Sequence, residues 1–211
     1  MEATTPPPPP PTPEPVPPPP GASDYPVNFE AERQAEYHRF LPLVKWLLAF
    51  PHYIALIFVG IGALFALIGA FFAVLFTGSW PRGLFDFVAG TLRWGYRVSA
   101  YVLLLTDEYP PFSLAEEPDY PVRIRIDYPE HIDNWRPLVH WLLVIPYLIV
   151  AGVLMWVAGI VSFIAIFVIL FTKEMSQGMF DLIAIPMRWQ LRGHAYAYWM
   201  VDRYPPFNWD E

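Results

Sequence analysis

The hydrophobic pattern is dominated by two runs without a charged side chain, Trp46 to Phe76 and Trp141 to Phe171. At about 1.5 Å of rise per residue, a helix of this length exceeds a hydrocarbon core of ~30 Å. Period-two alternation is clearest in Val122-Arg123-Ile124-Arg125-Ile126-Asp127-Tyr128 and predicts a strand. Val27-Asn28-Phe29-Glu30 is a weaker version, and the two segments are able to pair across a pseudo-two-fold. A short interfacial helix is expected to end near Pro51 or Pro146, since proline is tolerated in the first turn of the helix that follows. After each apolar run come a turn and a second helical segment, 83–105 or 178–200.

The two runs are parts of a duplication. Residues 25–112 align with 120–207 at a constant offset of 95 without a gap, and about thirty of the aligned positions are identical. Tyr25-Pro26-Val27 matches Tyr120-Pro121-Val122, and Trp46-Leu47-Leu48 matches Trp141-Leu142-Leu143. The organisation is therefore a tail over 1–24, a first membrane repeat over 25–112, a linker over 113–119 and a second membrane repeat over 120–207. The expected fold class is an all-α integral membrane protein of two tandem repeats. Each repeat holds one long transmembrane helix, a second amphipathic or spanning helix and a short extramembrane strand.

The tail is four-fifths proline from Pro6 to Pro20, which rules out helix or ladder and predicts a disordered, polyproline II-rich segment. A spacer is the simpler role. A P-x-x-P ligand for a protein partner is the functional alternative. The absence of cysteine excludes disulfides and thiol chemistry. A net charge of −7 without a basic patch argues against nucleic acid. Residues 1–24 lack the features of a cleavable leader.

The segments "RFLPLVKWLLAFPHY", "LFTGSWPRGLFDFVAGTLRWGYRV" and "LTDEYPPFSL" resemble a bacterial membrane-protein family known as domain of unknown function 4389. The resemblance covers both repeats and implies membrane location, with no activity or cofactor attached. The second copy departs from it in "LFTKEMSQGMFDLIAIPMRW", which lacks the W-P-R-G turn and adds Pro186.

Candidate chemistry centres on the second helix of each repeat. Asp86, Arg93 and Arg97 are spaced i, i+7, i+11 and fall within about 40° on a helical wheel; Asp181, Arg188 and Arg192 repeat the stripe. If buried, these charges are expected to pair across the repeat interface, for example Asp86 with Arg188 or Arg192. Such a seam reads as a structural network or as the ion or headgroup path of a small transporter or channel. A second candidate is the motif that closes each unit, Tyr109-Pro110-Pro111-Phe112 and Tyr204-Pro205-Pro206-Phe207, as a helix stop or a partner surface. Gly62, Ala66, Gly69, Ala70 and Ala73 form small-residue steps suited to packing within the chain or in a homo-oligomer. Trp46, Trp80 and Trp141 fall where an aromatic belt is expected.

The histidines His38, His52, His131, His140 and His194 show no ligand spacing, and no nucleotide or nucleophile motif occurs. The expectation is no metal, no cofactor and no catalysis. It is instead a non-catalytic scaffold or accessory subunit whose partners are the lipid bilayer and a protein held by the tail. Two topologies compete. Second helices lying in the interface give one crossing per repeat and an inverted second copy, whereas spanning second helices give four crossings. The ungapped match of both repeats favours a shared orientation, hence four crossings with both termini in the cytoplasm of a multi-pass cell-membrane protein. Arg33, Arg39, Lys45, Arg123, Arg125, Arg136 and Arg203 would then share the inner side, with Arg82 and Lys173 opposite.

Overall fold

The computed structural model describes residues 25–208; the tail over 1–24 lies outside the described residues. The elements are β1 (Val27–Ala31), α1 (Leu41–Leu48), α2 (Phe50–Thr77) and α3 (Arg82–Val102), then β2 (Val122–Ile126), α4 (Arg136–Leu143), α5 (Ile145–Thr172) and α6 (Gln177–Ala197). The second copy thus repeats the first element for element. Two stretches, Leu41–Thr77 and Ile145–Thr172, are long and apolar enough to cross a membrane.

α1 and α2 are separated only at Ala49, and Pro51 occupies the first turn of α2, where its missing N–H costs nothing. α2 ends because Gly78 adopts the left-handed conformation (φ 66°) and returns its N–H to the Val74 carbonyl. Lys173 takes the same conformation at the matched position (φ 61°), and Ser176 caps α6 by accepting from Met179 N–H at 3.3 Å. The divergent second turn therefore keeps the geometry of the first.

α2 packs antiparallel on α3, and α5 on α6, as two helical hairpins. The small-residue steps are packed in part, with Gly69 exposed and Ala73 half-buried. Ala63, Ala66 and Ala70 are buried, while Gly62 lies under the Phe87 ring and Gly69 under Leu84. The opposite face of each long helix is bare and apolar, from Phe40, Trp46 and Phe58 to Phe76, and from Trp135 and Trp156 to Phe171.

The repeats interlock reciprocally. β1 pairs antiparallel with β2, joining Val27 to Ile126 and Ala31 to Val122 about a centre at Phe29 and Ile124. Because Phe29 and Ile124 are themselves matched in the duplication, exchanging the repeats maps the ladder onto itself, so a pseudo-two-fold passes through the sheet. The strand of each repeat then packs on the second helix of the other, β1 on α6 and β2 on α3. α1 touches α5, and α4 touches α2. Tyr37 N–H donates to the Lys173 carbonyl, and Ile132 N–H to the Gly78 carbonyl, both at 2.8 Å.

These contacts correct the expected orientation of the repeats. Lys173 closes an ion pair with Glu36 at 2.8 Å, and the Arg82 guanidinium covers the Tyr128 ring at 4.3 Å. In the four-crossing arrangement those partners lie on opposite sides of the bilayer. The C-terminal end of α5 instead meets the start of α1, and that of α2 meets the approach to α4. The long helices therefore run in opposite senses about the two-fold. The duplication preserved the hairpins, and the strand exchange turned one against the other. Trp80 also departs from the expected belt. It is 2% exposed and donates to the Trp199 carbonyl at 2.9 Å, whereas Trp46 and Trp141 are exposed.

Candidate functional site: the arginine stripes and the aromatic boxes

The stripes lie on α3 and α6, and neither faces the other. Asp86 is exposed and pairs with Arg82 one turn away at 3.7 Å, not with Arg188 or Arg192. Asp181 accepts from Gln177 Nε2 at 2.8 Å. The expected pairing across the repeat interface is thus not the one formed, because the sheet and the linker engage Arg93, Arg97 and Arg192 while Asp86 stays exposed at the start of α3.

The arginines read backbone. Arg93 donates through Nε to the Ile124 carbonyl on β2 at 3.3 Å and through Nη2 to Glu116 at 2.7 Å. Arg97, 2% exposed, donates to the Ala115 and Ser113 carbonyls of the segment after α3. Arg192, fully buried, donates to the Val27 carbonyl on β1 at 3.3 Å and lies over the Tyr25 ring at 5.1 Å. Arg188 is half-buried, within electrostatic reach of Asp181 and Glu30. A two-stranded sheet consists of two edges, each with carbonyls that need donors. The stripe supplies them, and guanidinium is suited to this because it stays charged and offers five N–H groups.

The Y-P-P-F motifs turn inward. Tyr109 donates to the Leu48 carbonyl at 3.1 Å, Phe112 stacks on His52 at 3.9 Å, and Trp94 meets Phe112 edge-on at 5.5 Å. Pro110 and Pro205 are buried, while Pro111 and Pro206 are half-buried. In the second copy Tyr147 takes the place of His52. Tyr204, Phe207 and Trp189 surround it at centroid distances of 5.1–6.1 Å. Each motif is therefore a clasp that locks the end of its second helix onto the start of its long one. Phe112 and Phe207 keep about half their surface exposed.

One buried group was missed by the sequence reading. Lys45, 1% exposed, forms an ion pair with Asp107 at 2.7 Å, donates to the Thr106 carbonyl at 2.7 Å and sits over the Tyr101 ring at 4.8 Å. In the second copy His140 replaces it, stacked on Tyr196 at 4.0 Å with Nδ1 3.0 Å from the Tyr196 carbonyl. The signal was a lone cation in an apolar helix, matched with a duplicated aspartate about 60 residues on.

Outside the membrane-length helices, burial pushes the phenols of Tyr25 and Tyr120 well above their ordinary range, and Lys173 holds the Glu36 carboxyl below its own. Where α2, α3, α5 and α6 converge there is a cavity of about 410 Å³, lined by Tyr53, Gln190, His194 and Tyr198 among others. Tyr96 and His194 are hydrogen-bonded beside it at 2.9 Å. Among the described residues no group of three or more histidine, aspartate or glutamate side chains is placed to hold a metal ion.

Fold and site together define a class: a tandemly duplicated helical-hairpin protein with two long, outwardly apolar helices and a clasped polar cap. The chain belongs to the family described as domain of unknown function 4389, whose pattern matches residues 42–113 and 134–208. The two matches are the hairpins with their clasps, and they leave out the strand segments that join them. No curated protein and no solved structure matches the chain.

Proposed function

We propose that this protein resides in the cell membrane as a non-catalytic scaffold or accessory subunit, with its polar cap and N-terminal tail on the cytoplasmic side. The observation that carries the reading is the uninterrupted apolar face of α1–α2 and α4–α5, with large side chains such as Phe58, Phe65, Phe163 and Phe167 half or more exposed. A surface of that extent is stable only against hydrocarbon or another apolar surface. The commitment of Arg93, Arg97 and Arg192 to backbone carbonyls supports a structural use of the stripe rather than a path for ions. The cap is rich in arginine (Arg33, Arg39, Arg123, Arg125, Arg136, Arg203), which suits a cytoplasmic face.

Two measurements test this. The protein is expected in the membrane pellet after urea and high-salt washes; recovery in the wash would overturn membrane residence. Affinity isolation from mildly solubilised membranes is expected to return a stoichiometric partner that deletion of residues 1–24 removes. A chain isolated alone in both forms would count against the scaffold role.

A further inference from the structure

We infer that the long helices do not cross the bilayer. α1–α2 and α4–α5 lie lengthwise in one leaflet, and the whole polar cap faces a single compartment. This rests on the membrane residence proposed above.

The two-fold relates the ends of one long helix to those of the other. The ends of α2 are anchored by different parts of the cap. At its start, Lys45 holds Asp107, His38 N–H donates to Asp107 at 2.6 Å, and Glu36 holds Lys173. At its end, Gly78 accepts from Ile132 N–H, and Asn134 donates to the Leu75 carbonyl at 3.0 Å. α5 is anchored at the corresponding places with its ends exchanged: at its start Arg136 donates to the Asp202 carbonyl, and at its end the Lys173 carbonyl accepts from Tyr37 N–H. Six residues carry the chain from Ala31 to Tyr37, and six from Ile126 to Ile132, each spanning at most ~20 Å. The sheet, on the symmetry axis, is therefore midway between the two ends of the 28-residue helix, which is about 42 Å long.

That position decides the depth. If α2 and α5 stood upright in opposite senses, the axis would lie in the membrane plane and the sheet would sit at mid-bilayer. The sheet and its flanks carry Glu30, Glu32, Arg123, Arg125 and Asp127, each with a third or more of its side chain exposed; Arg123 pairs with Glu30 at 3.3 Å and Glu32 at 2.6 Å, and Arg125 with Asp127 at 3.1 Å. Charges at that depth are found facing a bundle interior or a water-filled cavity, and here they face outward. With the axis along the membrane normal the conflict disappears. The sheet and both sets of anchors share the water-facing layer, and α2 and α5 lie below them.

The apolar surface agrees. It runs along one side of Leu41–Thr77 without a polar break, far longer than a crossing needs, while the other side is covered by α3. A helix about 10 Å thick fits within a leaflet of about 15 Å. Trp156, 70% exposed at the middle of α5, would sit at the bilayer centre in an upright helix, away from the interface that indoles favour.

The chain has no cysteine, so single cysteines report without background. Ala35→Cys, Ser79→Cys, Glu130→Cys and Glu174→Cys are treated with a membrane-impermeant maleimide in sealed right-side-out and inside-out vesicles. All four are expected to react in the same orientation only. Four crossings would pair position 35 with 130 against 79 and 174. Two upright antiparallel helices would pair 35 with 174 against 79 and 130. Either split overturns the inference. Reaction of all four in both orientations, with the protein in the urea wash, would overturn membrane residence itself, as would a soluble oligomer hiding the apolar faces. As a measurement free of substitutions, the intact protein is expected to transfer to oil droplets coated with a phospholipid monolayer. Exclusion from them would contradict single-leaflet insertion.

Discussion

Arg97 and Arg192 occupy matched positions yet hold different backbone. Arg97 grips the linker carbonyls of Ser113 and Ala115, whereas Arg192 reaches the Val27 carbonyl of β1. Their shared demand is burial with backbone carbonyls as acceptors, although the buried Arg97 Nε finds no acceptor among the described residues. Lys45 is under the same demand in a single copy. Lys45→Met would leave Asp107, 14% exposed, without its counter-ion, and breaking such a pair costs about 3–5 kcal/mol. A marked fall in the unfolding temperature in detergent is expected, and adding Asp107→Asn should recover part of it. Tyr37 supplies a pH dependence. Burial pushes its phenol from 10.0 up to about 12. A raised folded value means that its contribution is complete below pH 10 and is lost as the pH rises toward 12. The hydroxyl has no hydrogen-bond partner among the described residues. Tyr37→Phe is thus expected to leave stability at neutral pH little changed and to delay base unfolding, followed by near-ultraviolet circular dichroism.

At the scale of elements, the linker after α3 depends on one absent side chain. A Cβ at Gly90 would meet the Leu114 Cβ and carbonyl oxygen at 2.7 Å, and both belong to backbone or its first side-chain atom, which cannot swing aside. Gly90→Val is expected to lift segment 113–117, strip Arg97 of its acceptors and make the linker the first site of limited proteolysis. The second copy has Ile185 at the matched position, buried with Tyr147, Ala151 and Trp189, so a side chain fills in α6 the place that the linker backbone requires to be empty in α3. The short helices α1 and α4 and the stop of each second helix before Y-P-P-F were legible from proline placement. The destination of the Y-P-P-F rings was not, because stacking on His52 and Tyr147 joins residues about 60 positions apart.

For the whole molecule, the decisive fact is that the two hairpins run in opposite senses about the sheet. It has a chemical readout that needs no substitution. Glu36 and Lys173 carry exposed side chains 2.8 Å apart, so a carbodiimide should join them by an amide detectable as a crosslinked peptide. A same-sense arrangement of the repeats would hold them a membrane apart and yield no such product. Salt should weaken the contact beforehand, since exposed ion pairs are screened within about 8–10 Å.

The sequence by itself determined the duplication, the two apolar helices, the second helices with their charged faces and the strand in each repeat. All of these are local periodicities or comparisons along the chain. Only the tertiary structure decided how the copies meet. Ungapped similarity between repeats is equally compatible with parallel and opposed hairpins, because a two-fold leaves each copy's internal contacts unchanged. What selects the opposed form is the β1–β2 ladder, with Phe29 beside Ile124 and each strand seated on the other repeat's helix. Antiparallel pairing of two equivalent strands requires a two-fold through their centre. Once that axis exists, the ends of the long helices, the partners of the arginines and the side of the molecule left bare and apolar follow from it.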